Sequence, residues 1–351
     1  MKRGIERFTY VLANQLIKKH NVKITLFIWD TPNRVNWGSW DSRIEFKFVP
    51  YTRYFQSYIA KIFYMIWSFW KIPDAYLINF LYHGESVLPK TSNLYYVLHA
   101  PASLIPDRYA YIATKYEKYN SLTFISVSEF VKKTSELYFK SHQNFVIHHG
   151  LDFSLIDRKL NYQNNSKLKI LTVAALESWK GIQHIISVFN NSEIKQNFEY
   201  HIIGEGPYRD KLYQEVKNCN AEGSIFLLGM KNNVTSLYCN YDIYCQLSDG
   251  EAFGFSIIEA MSAGLPTIVN NISPFDLLFP SDKVIKIEKN NHEQLRLKLL
   301  DLLSHDERKK FGLKGQAFVS ITFTIDKMVK NYYDLFTKNY SDLFKNSQRF
   351  I

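Results

Sequence analysis

Cysteine is scarce in this chain. Cys219, Cys239 and Cys245 are the only three in 351 residues, an odd number without metal-ligand spacing. They read as reduced, partly buried thiols, which excludes a disulfide-stapled fold and suits the cytoplasm. No run of ~20 apolar residues occurs, so no obvious membrane span is expected, and no secretory leader is recognisable. No Asp-x-Asp pair, internal repeat or low-complexity block is present. Acidic residues are outnumbered: 43 Lys and Arg against 33 Asp and Glu give a net charge of +10, which favours anionic partners. The basic residues are scattered and match no nucleic-acid module, so nucleic acid is not an expected partner. The length suits two domains with separate cores, and a hydrophobic fraction of 46% is ordinary for globular protein.

The rest of the chain is organised around residues 249–266, DGEAFGFSIIEAMSAGLP. Asp249 and Gly250 break an apolar run. Phe253, Gly254 and Phe255 make a tight bend where glycine admits close approach of a ligand. A helix is expected from Ser256, with Ile257, Ile258 and Met261 on its core face. Gly264, Leu265 and Pro266 end it, and Thr267, Ile268 and Val269 resume as a strand. The amino end of such a helix is an anion site able to take a pyrophosphate. Glu251 stands at its mouth, and Glu259 lies about two turns deeper. Two carboxylates so spaced can hold two ends of one extended ligand.

This stretch resembles the signature of retaining glycosyltransferases of family 4, which share the GT-B fold. The matching features are two Glu with seven residues between them, the Gly-Phe-Gly-like bend, and Glu-Ala-Met-x-x-Gly-x-Pro. The resemblance implies that Glu251 meets sugar hydroxyls of a nucleotide-sugar donor. It implies that the amides around Phe253, Gly254, Phe255 and Ser256 meet the diphosphate and that Glu259 holds the ribose. It also implies an α/β protein of two Rossmann-like domains facing a cleft, one over residues 1–160 and the donor-binding one over 161–322. Residues 323–351 would form a helix crossing back to the first domain.

The first half departs from the family at its start. Residues 4–20 read as an amphipathic helix with Phe8, Val11, Leu12 and Leu16 on one face and Lys18, Lys19 and His20 in the last turn. In the family this helix follows a first strand and a glycine-rich loop. Here Arg3 stands where the first glycine is usual, and Gly4 alone remains to line the donor. The first domain is therefore expected to lack its first strand, through truncation, a mis-set start or compensation by another segment. Strands are expected at 23–29, 44–49, 75–80, 94–98 and 122–127, and Ser128 as a helix cap. Residues 53–71 place Phe55, Tyr58, Ile59, Ile62, Phe63, Ile66, Trp67 and Trp70 on one wide helical face. Two readings stand: a helix packed on the sheet, or a surface dipping into a bilayer interface at the inner face of the membrane. His99 ends a strand and resembles the His of the family's Tyr-x-His-x-Pro, which faces the donor sugar. His148 and His149 are adjacent, but no partner sits at ligand spacing, so no metal is assigned. His149 takes the place of Asn in the turn that closes the family's first domain.

In the second half a strand over 169–173 leads to Ala174, Ala175, Leu176, Glu177, Ser178, Trp179, Lys180 and Gly181. The family has Gly-Arg-Leu-x-x-x-Lys-Gly here, and its Arg and Lys clamp the diphosphate. Lys180 keeps the Lys position, whereas Ala175 replaces the Arg. Losing one partner of a developing charge costs ~3 kcal/mol, about 10²-fold in rate. Either activity is weakened or another cation reaches in. Gly204 matches the family's Gly-x-Gly-Pro after a strand, and the backbone at Met230 falls where the family meets the nucleotide base. Taken with the resemblance, these residues imply transfer of a hexose from a nucleotide-sugar to a hydroxyl of a glycan or lipid-linked acceptor, with retained anomeric configuration. No metal or other cofactor is expected, since Asp-x-Asp is missing. Glu251, His99 and Lys180 are the expected catalytic residues. Two alternatives stay open: a nucleotide-sugar epimerase of the same fold, and a weak or inactive nucleotide-sugar-binding homologue.

Overall fold

The computed structural model describes residues 4–28, 39–48, 76–78, 94–116, 122–163 and 166–337. Two compact units emerge. One comprises Met1–Gly150 with Ile325–Ile351, the other Leu151–Thr324. The expected join at residue 160 thus lies earlier, at Gly150. The reason is packing: Leu151 and Ile156 are buried in the second unit's core, and Leu151 bridges Thr324 where the two chain crossings run side by side. From Ile325 the chain groups with the first unit again.

In the first unit, α1 (Gly4–His20) buries Phe8, Leu12 and Leu16 of the apolar stripe read from the sequence, together with Ala13 and Ile17, while Val11 is only partly buried. The helix Ile325–Phe336 packs on it. Tyr332 meets Phe8, Tyr333 stacks on His20 at 3.8 Å, and Asp326 pairs with Lys19. The strands are β1 (Thr25–Ile28), β2 (Glu45–Phe48), β3 (Tyr76–Ile78), β4 (Leu94–Leu98), β5 (Leu122–Ser126) and β6 (Asn144–Val146). All pair in parallel, in two pieces: β1–β2, and β3–β4–β5–β6. A doubly wound sheet of order 3-2-1-4-5-6 has its first strand in the middle. Among the described residues the strands of this unit form two separate sheets. Every residue of β4 and β5 is buried, as a strand covered on both faces requires. Helices α2 (Pro106–Tyr116) and α3 (Glu129–Ser135) follow β4 and β5, and the Ser128 hydroxyl accepts from the Val131 amide at 3.3 Å, the cap expected there. Residues 53–71 lie outside the described residues. None of the described helices is long and apolar enough to cross a membrane.

The second unit is a six-stranded parallel sheet: β7 (Leu168–Val173), β8 (Phe198–Ile203), β9 (Ile225–Leu227), β10 (Ile243–Gln246), β11 (Thr267–Asn270) and β12 (Ile285–Ile287). Its order is β12–β11–β10–β7–β8–β9. The chain winds outward from β7 to β9, then returns to the other side of β7 with β10. The order reverses between β7 and β10, the switch point at which doubly wound sheets bind ligands. Side chains alternate along each strand. Leu168, Ile170, Ile243 and Cys245 enter one core, with α4 (Ile182–Val188), α5 (Ser192–Asn197), α6 (Arg209–Asn218) and α9 (His292–Asp301) contributing to it. Leu171, Val173 and Tyr244 enter the other, with α7 (Phe255–Ser262), α8 (Phe275–Leu278) and α10 (His305–Thr322).

Helix α7 begins one residue before the expected start and is fixed at its far end. The Gly264 amide donates to Met261 O at 3.0 Å and the Leu265 amide to Ala260 O at 3.1 Å, a Schellman close with Gly264 at φ 88°. Tyr162 donates to Gly264 O at 2.7 Å, and the Lys159 amide to Ala263 O at 2.7 Å. Helix α10 lies against the same turn: a Cβ on Gly312 would stand 2.2 Å from Gly264 O and 2.8 Å from the Tyr162 hydroxyl. Gly312→Ala gains ~1 kcal/mol of helix propensity. The clash is with backbone and forces α10 off α7, for a net loss of about 2 kcal/mol. Urea unfolding of the second unit is expected to show a correspondingly lower midpoint; an unchanged or raised midpoint would contradict this packing.

Candidate functional site

The second unit gathers charged and polar groups at the carboxyl ends of β7 and β10. After β7 the chain makes a turn at residues 174–181, and Gly181 closes it at φ 70°. A Cβ there would sit 1.9 Å from Leu247 O, so only glycine lets this turn reach the end of β10. The Asp249 amide donates to Trp179 O at 2.7 Å, joining the two loops. Lys180 is thereby delivered to Glu251, and the two side chains form an ion pair with 13% and 14% exposure. The Lys180 ammonium also lies 3.9 Å from the Trp179 ring centre. The Glu251 Oε1 that pairs with Lys180 accepts from Gln246 Nε2 at 3.0 Å and from the Ser248 hydroxyl at 3.4 Å.

Gly254, at φ 87°, caps α7, and its carbonyl accepts from the amides of Ile257 and Ile258. The amides of Phe255 and Ser256 stand ahead of the helical ladder, at the positive end of the helix dipole. Phe253 is buried and crosses Phe255 and Phe323 edge to face, so its ring anchors the bend in the core. Ser256 donates to Gln246 Oε1 at 2.8 Å. Glu259, deeper on the same helix, is buried and accepts from the Tyr238 hydroxyl at 3.1 Å. The two carboxylates therefore bracket the amino end of α7.

Gly204 follows β8 with φ 150°, and a Cβ on it would be 1.8 Å from Ala174 O. Its amide donates to Gly229 O at 3.0 Å, next to Met230, which is 59% exposed. The loops after β7, β8 and β9 are thus zipped by backbone bonds: Ala174 to Ile203 O, Leu176 to Glu205 O, and Gly204 to Gly229 O. Ala175 is exposed in this row, with no side chain to offer an anion. Three nearby cations are matched to acids: Lys180 with Glu251, Lys289 with Asp249 at 3.0 Å, and Arg209 with Glu205 at 3.1 Å.

The remaining expected residues lie in the first unit. Gly4 opens α1. His99 leaves β4, a strand paired on both sides, at its carboxyl end. The His99 ring stacks on His149 at 5.5 Å and 9°, and the edge of Phe8 meets both, at 5.4 Å and 4.9 Å. Burial holds His99 neutral, its pKa lowered to about 3. Burial, with the Lys327 charge adding to it, lowers His148 to about 4. Burial pushes His149 well below the ordinary range too, helped by His99 and His148.

Sequence reasoning missed Gln246, Ser248, Tyr244, Tyr238 and the pairing of His149 with His99. One signal was present: Gln246 is the polar last residue of an otherwise apolar strand. Among the described residues no three His, Cys, Asp or Glu side chains converge as a metal site.

Comparison with known proteins defines the class first. Over 95% of this chain, the structure matches Anabaena Alr3699/HepE in complex with UDP and glucose, with a TM-score of 0.75, 15% identity and 96% of that chain covered. A glycosyltransferase from Rickettsia africae ESF-5 aligns over 98% of this chain and 96% of its own, with a TM-score of 0.74 and 18% identity. At such identities the likeness is one of fold, and the fold is GT-B. The family model of glycosyl transferases group 1 matches residues 155–317. Among curated relatives, N-acetyl-alpha-D-glucosaminyl L-malate synthase of Bacillus anthracis is 22% identical over 213 residues, 59% of this chain and 55% of its own length. The chain spans about half the length of the curated relatives it matches.

The histidine cluster carries a pH dependence. Each of these imidazoles is neutral in the fold and takes up a proton near its ordinary pKa of 6.5 once unfolded. Their contribution is therefore full above pH 6.5 and is lost as the pH falls toward 4 and below. Each buried histidine adds a slope of up to ~1.4 kcal/mol per pH unit, with His99 and His148, which keep some exposure, giving less. Unfolding free energy followed from pH 7.5 to 5 should fall in this way, and His149→Phe, which keeps a ring in the stack, should flatten the slope. An equal slope in that variant would contradict the assignment.

Proposed function

We propose that the chain is a retaining glycosyltransferase that moves a hexose from a nucleotide-sugar to a hydroxyl of a glycan or lipid-linked acceptor. The observation that carries this reading is the Lys180–Glu251 pair at the switch point, beside the amino end of α7. An anionic donor has a natural seat there. Its diphosphate takes the first-turn amides of α7, with Gly254 at φ 87° turning the chain into the helix. The main chain at Gly204 and Met230 receives the base, and Glu259 the ribose. Glu251 accepts from hexose hydroxyls, and His99, neutral at working pH, hydrogen-bonds the hexose near the reacting carbon.

The pair itself supplies the switch. While the site is without donor, Lys180 neutralises Glu251. As the diphosphate arrives, the ammonium has a second anion within its reach, and its transfer releases the carboxylate to the sugar. The bond from the anomeric carbon to the phosphate oxygen then breaks, with its electron pair going to the phosphate. The acceptor oxygen bonds to the same face of that carbon, and its proton passes to the departing phosphate oxygen. Lys180 and the α7 amides stabilise the charge that develops on the leaving group, and no metal is assigned a step. Ala175 is a specific observation in favour of a slower enzyme, since the clamp holds one cation where the family has two.

A screen of UDP-, GDP-, ADP- and dTDP-sugars by thermal stabilisation identifies the donor, and turnover with a hydroxyl acceptor then tests the reaction. Glu251→Gln and Lys180→Met are each expected to lower transfer by about 10²-fold. NMR of the product from an α-linked donor should show an α linkage; a β linkage would overturn retention. Release of an epimerised sugar from donor alone would favour an epimerase, and binding without turnover an inactive homologue.

A further inference from the structure

The most completely bonded polar side chain at the switch point is Gln246, which is 1% exposed. Both protons of its amide are used: Nε2 donates to Glu251 Oε1 at 3.0 Å and to the Ser248 hydroxyl at 3.1 Å. Both acceptor positions are used too: Oε1 receives the hydroxyls of Tyr244 at 2.6 Å and Ser256 at 2.8 Å. Four bonds satisfy the group completely. They also fix which way round it lies. Turning the amide over would set its oxygen about 3 Å from the Glu251 carboxylate, oxygen against oxygen, whereas the two hydroxyls tolerate either orientation.

The consequence reaches Glu251. Its bonds from Gln246, Ser248 and Lys180 all converge on Oε1. Among the described residues Oε2 takes no bond. Three donors on one oxygen fix the carboxylate plane, and Oε2 is the atom left to meet a ligand. Tyr244 anchors the arrangement from below: it is buried, its phenol pKa is raised by burial, and it sits in the strand that ends at Gln246. The same amide holds Ser256, in the first turn of α7. One side chain thus ties the sugar-gripping acid to the diphosphate-binding end of the helix.

We infer that Gln246 is a positioning residue for donor recognition: through its amide it orients the Glu251 carboxylate so that Oε2 faces the hexose. The inference rests on the function proposed above and goes beyond it, because Gln246 itself touches no substrate. Its amide protons go to the acid that meets the sugar, and Ser256 is also held by α7 itself, so removing the amide weakens the sugar more than the nucleoside diphosphate and changes discrimination between the two.

The test uses the full chain and Gln246→Met, which keeps length and bulk but has no amide. Calorimetry measures the dissociation constants of UDP, UDP-glucose and UDP-N-acetylglucosamine for the unaltered protein and the variant. For the UDP-sugar that binds, the ratio of its dissociation constant to that of UDP should rise about tenfold in the variant. In a Glu251→Gln background, where the carboxylate is already lost, the same replacement should change that ratio less than twofold. A merely structural role would weaken UDP and UDP-sugar alike, and equal weakening overturns the inference, as does an unchanged ratio. An equal change of ratio in both backgrounds also overturns it, since Gln246 would not then act through Glu251. Failure of the unaltered protein to bind any nucleotide-sugar in the broader screen would instead overturn the proposed function, and this inference with it.

Discussion

A lysine and a glutamate, both largely withdrawn from water, face each other across the gap between two strand ends. Much of the second unit's geometry serves that meeting. An ion pair at this depth gains several kcal/mol of Coulomb attraction, but the desolvation of both charges takes back most of it. It is a weak source of net stability and a costly one to leave half-made. A donor that offers the lysine a diphosphate and the glutamate a set of hydroxyls leaves neither charge unpaired. The site can therefore exchange an internal partner for an external one.

The pair requires β7 and β10 to be neighbours, and they are neighbours only because the winding of the sheet reverses between them. It requires the turn after β7 to touch the end of β10, which the bare backbone of Gly181 permits. It requires α7 to be held still, and the Schellman turn, the Tyr162 and Lys159 contacts and the close passage of α10 hold its far end. The amino end of α7 is left to the loop Asp249 to Gly254, and Gln246 links that loop to the helix. One end is braced by packing and the other is ordered by hydrogen bonds, an arrangement suited to holding a polar ligand.

Much of this was legible in the chain. Residues 249–266 spelled loop, helix and turn because the glycines, the proline and the apolar spacing agree. The alternation of strands with helices gave the parallel sheet of the second unit. The resemblance to family 4 glycosyltransferases supplied the fold and the roles proposed for the site residues, and the group 1 family model falls on the same half of the chain. What escaped reading has a common physical cause, the meeting of segments far apart in sequence. Nothing near Lys180 announces Glu251 as its partner. Gln246 looks like a stray polar residue until Tyr244, Ser248, Glu251 and Ser256 surround it. His149 stood in the sequence as an unfamiliar substitution for Asn; Phe8, from the far end of the unit, makes it half of a ring stack with His99. The earlier domain join was not legible, because Leu151 and Ile156 declare their side only when the second core is assembled.

The most direct measurement is a crystal structure of this chain with its bound nucleotide-sugar. The account predicts the Glu251 carboxylate within hydrogen-bond distance of a hexose hydroxyl, the diphosphate at the amino end of α7, and the Lys180 ammonium moved from the carboxylate to a phosphate oxygen. A donor seated away from β7 and β10, or one bound while Lys180 and Glu251 remain paired and touch neither sugar nor phosphate, would contradict it.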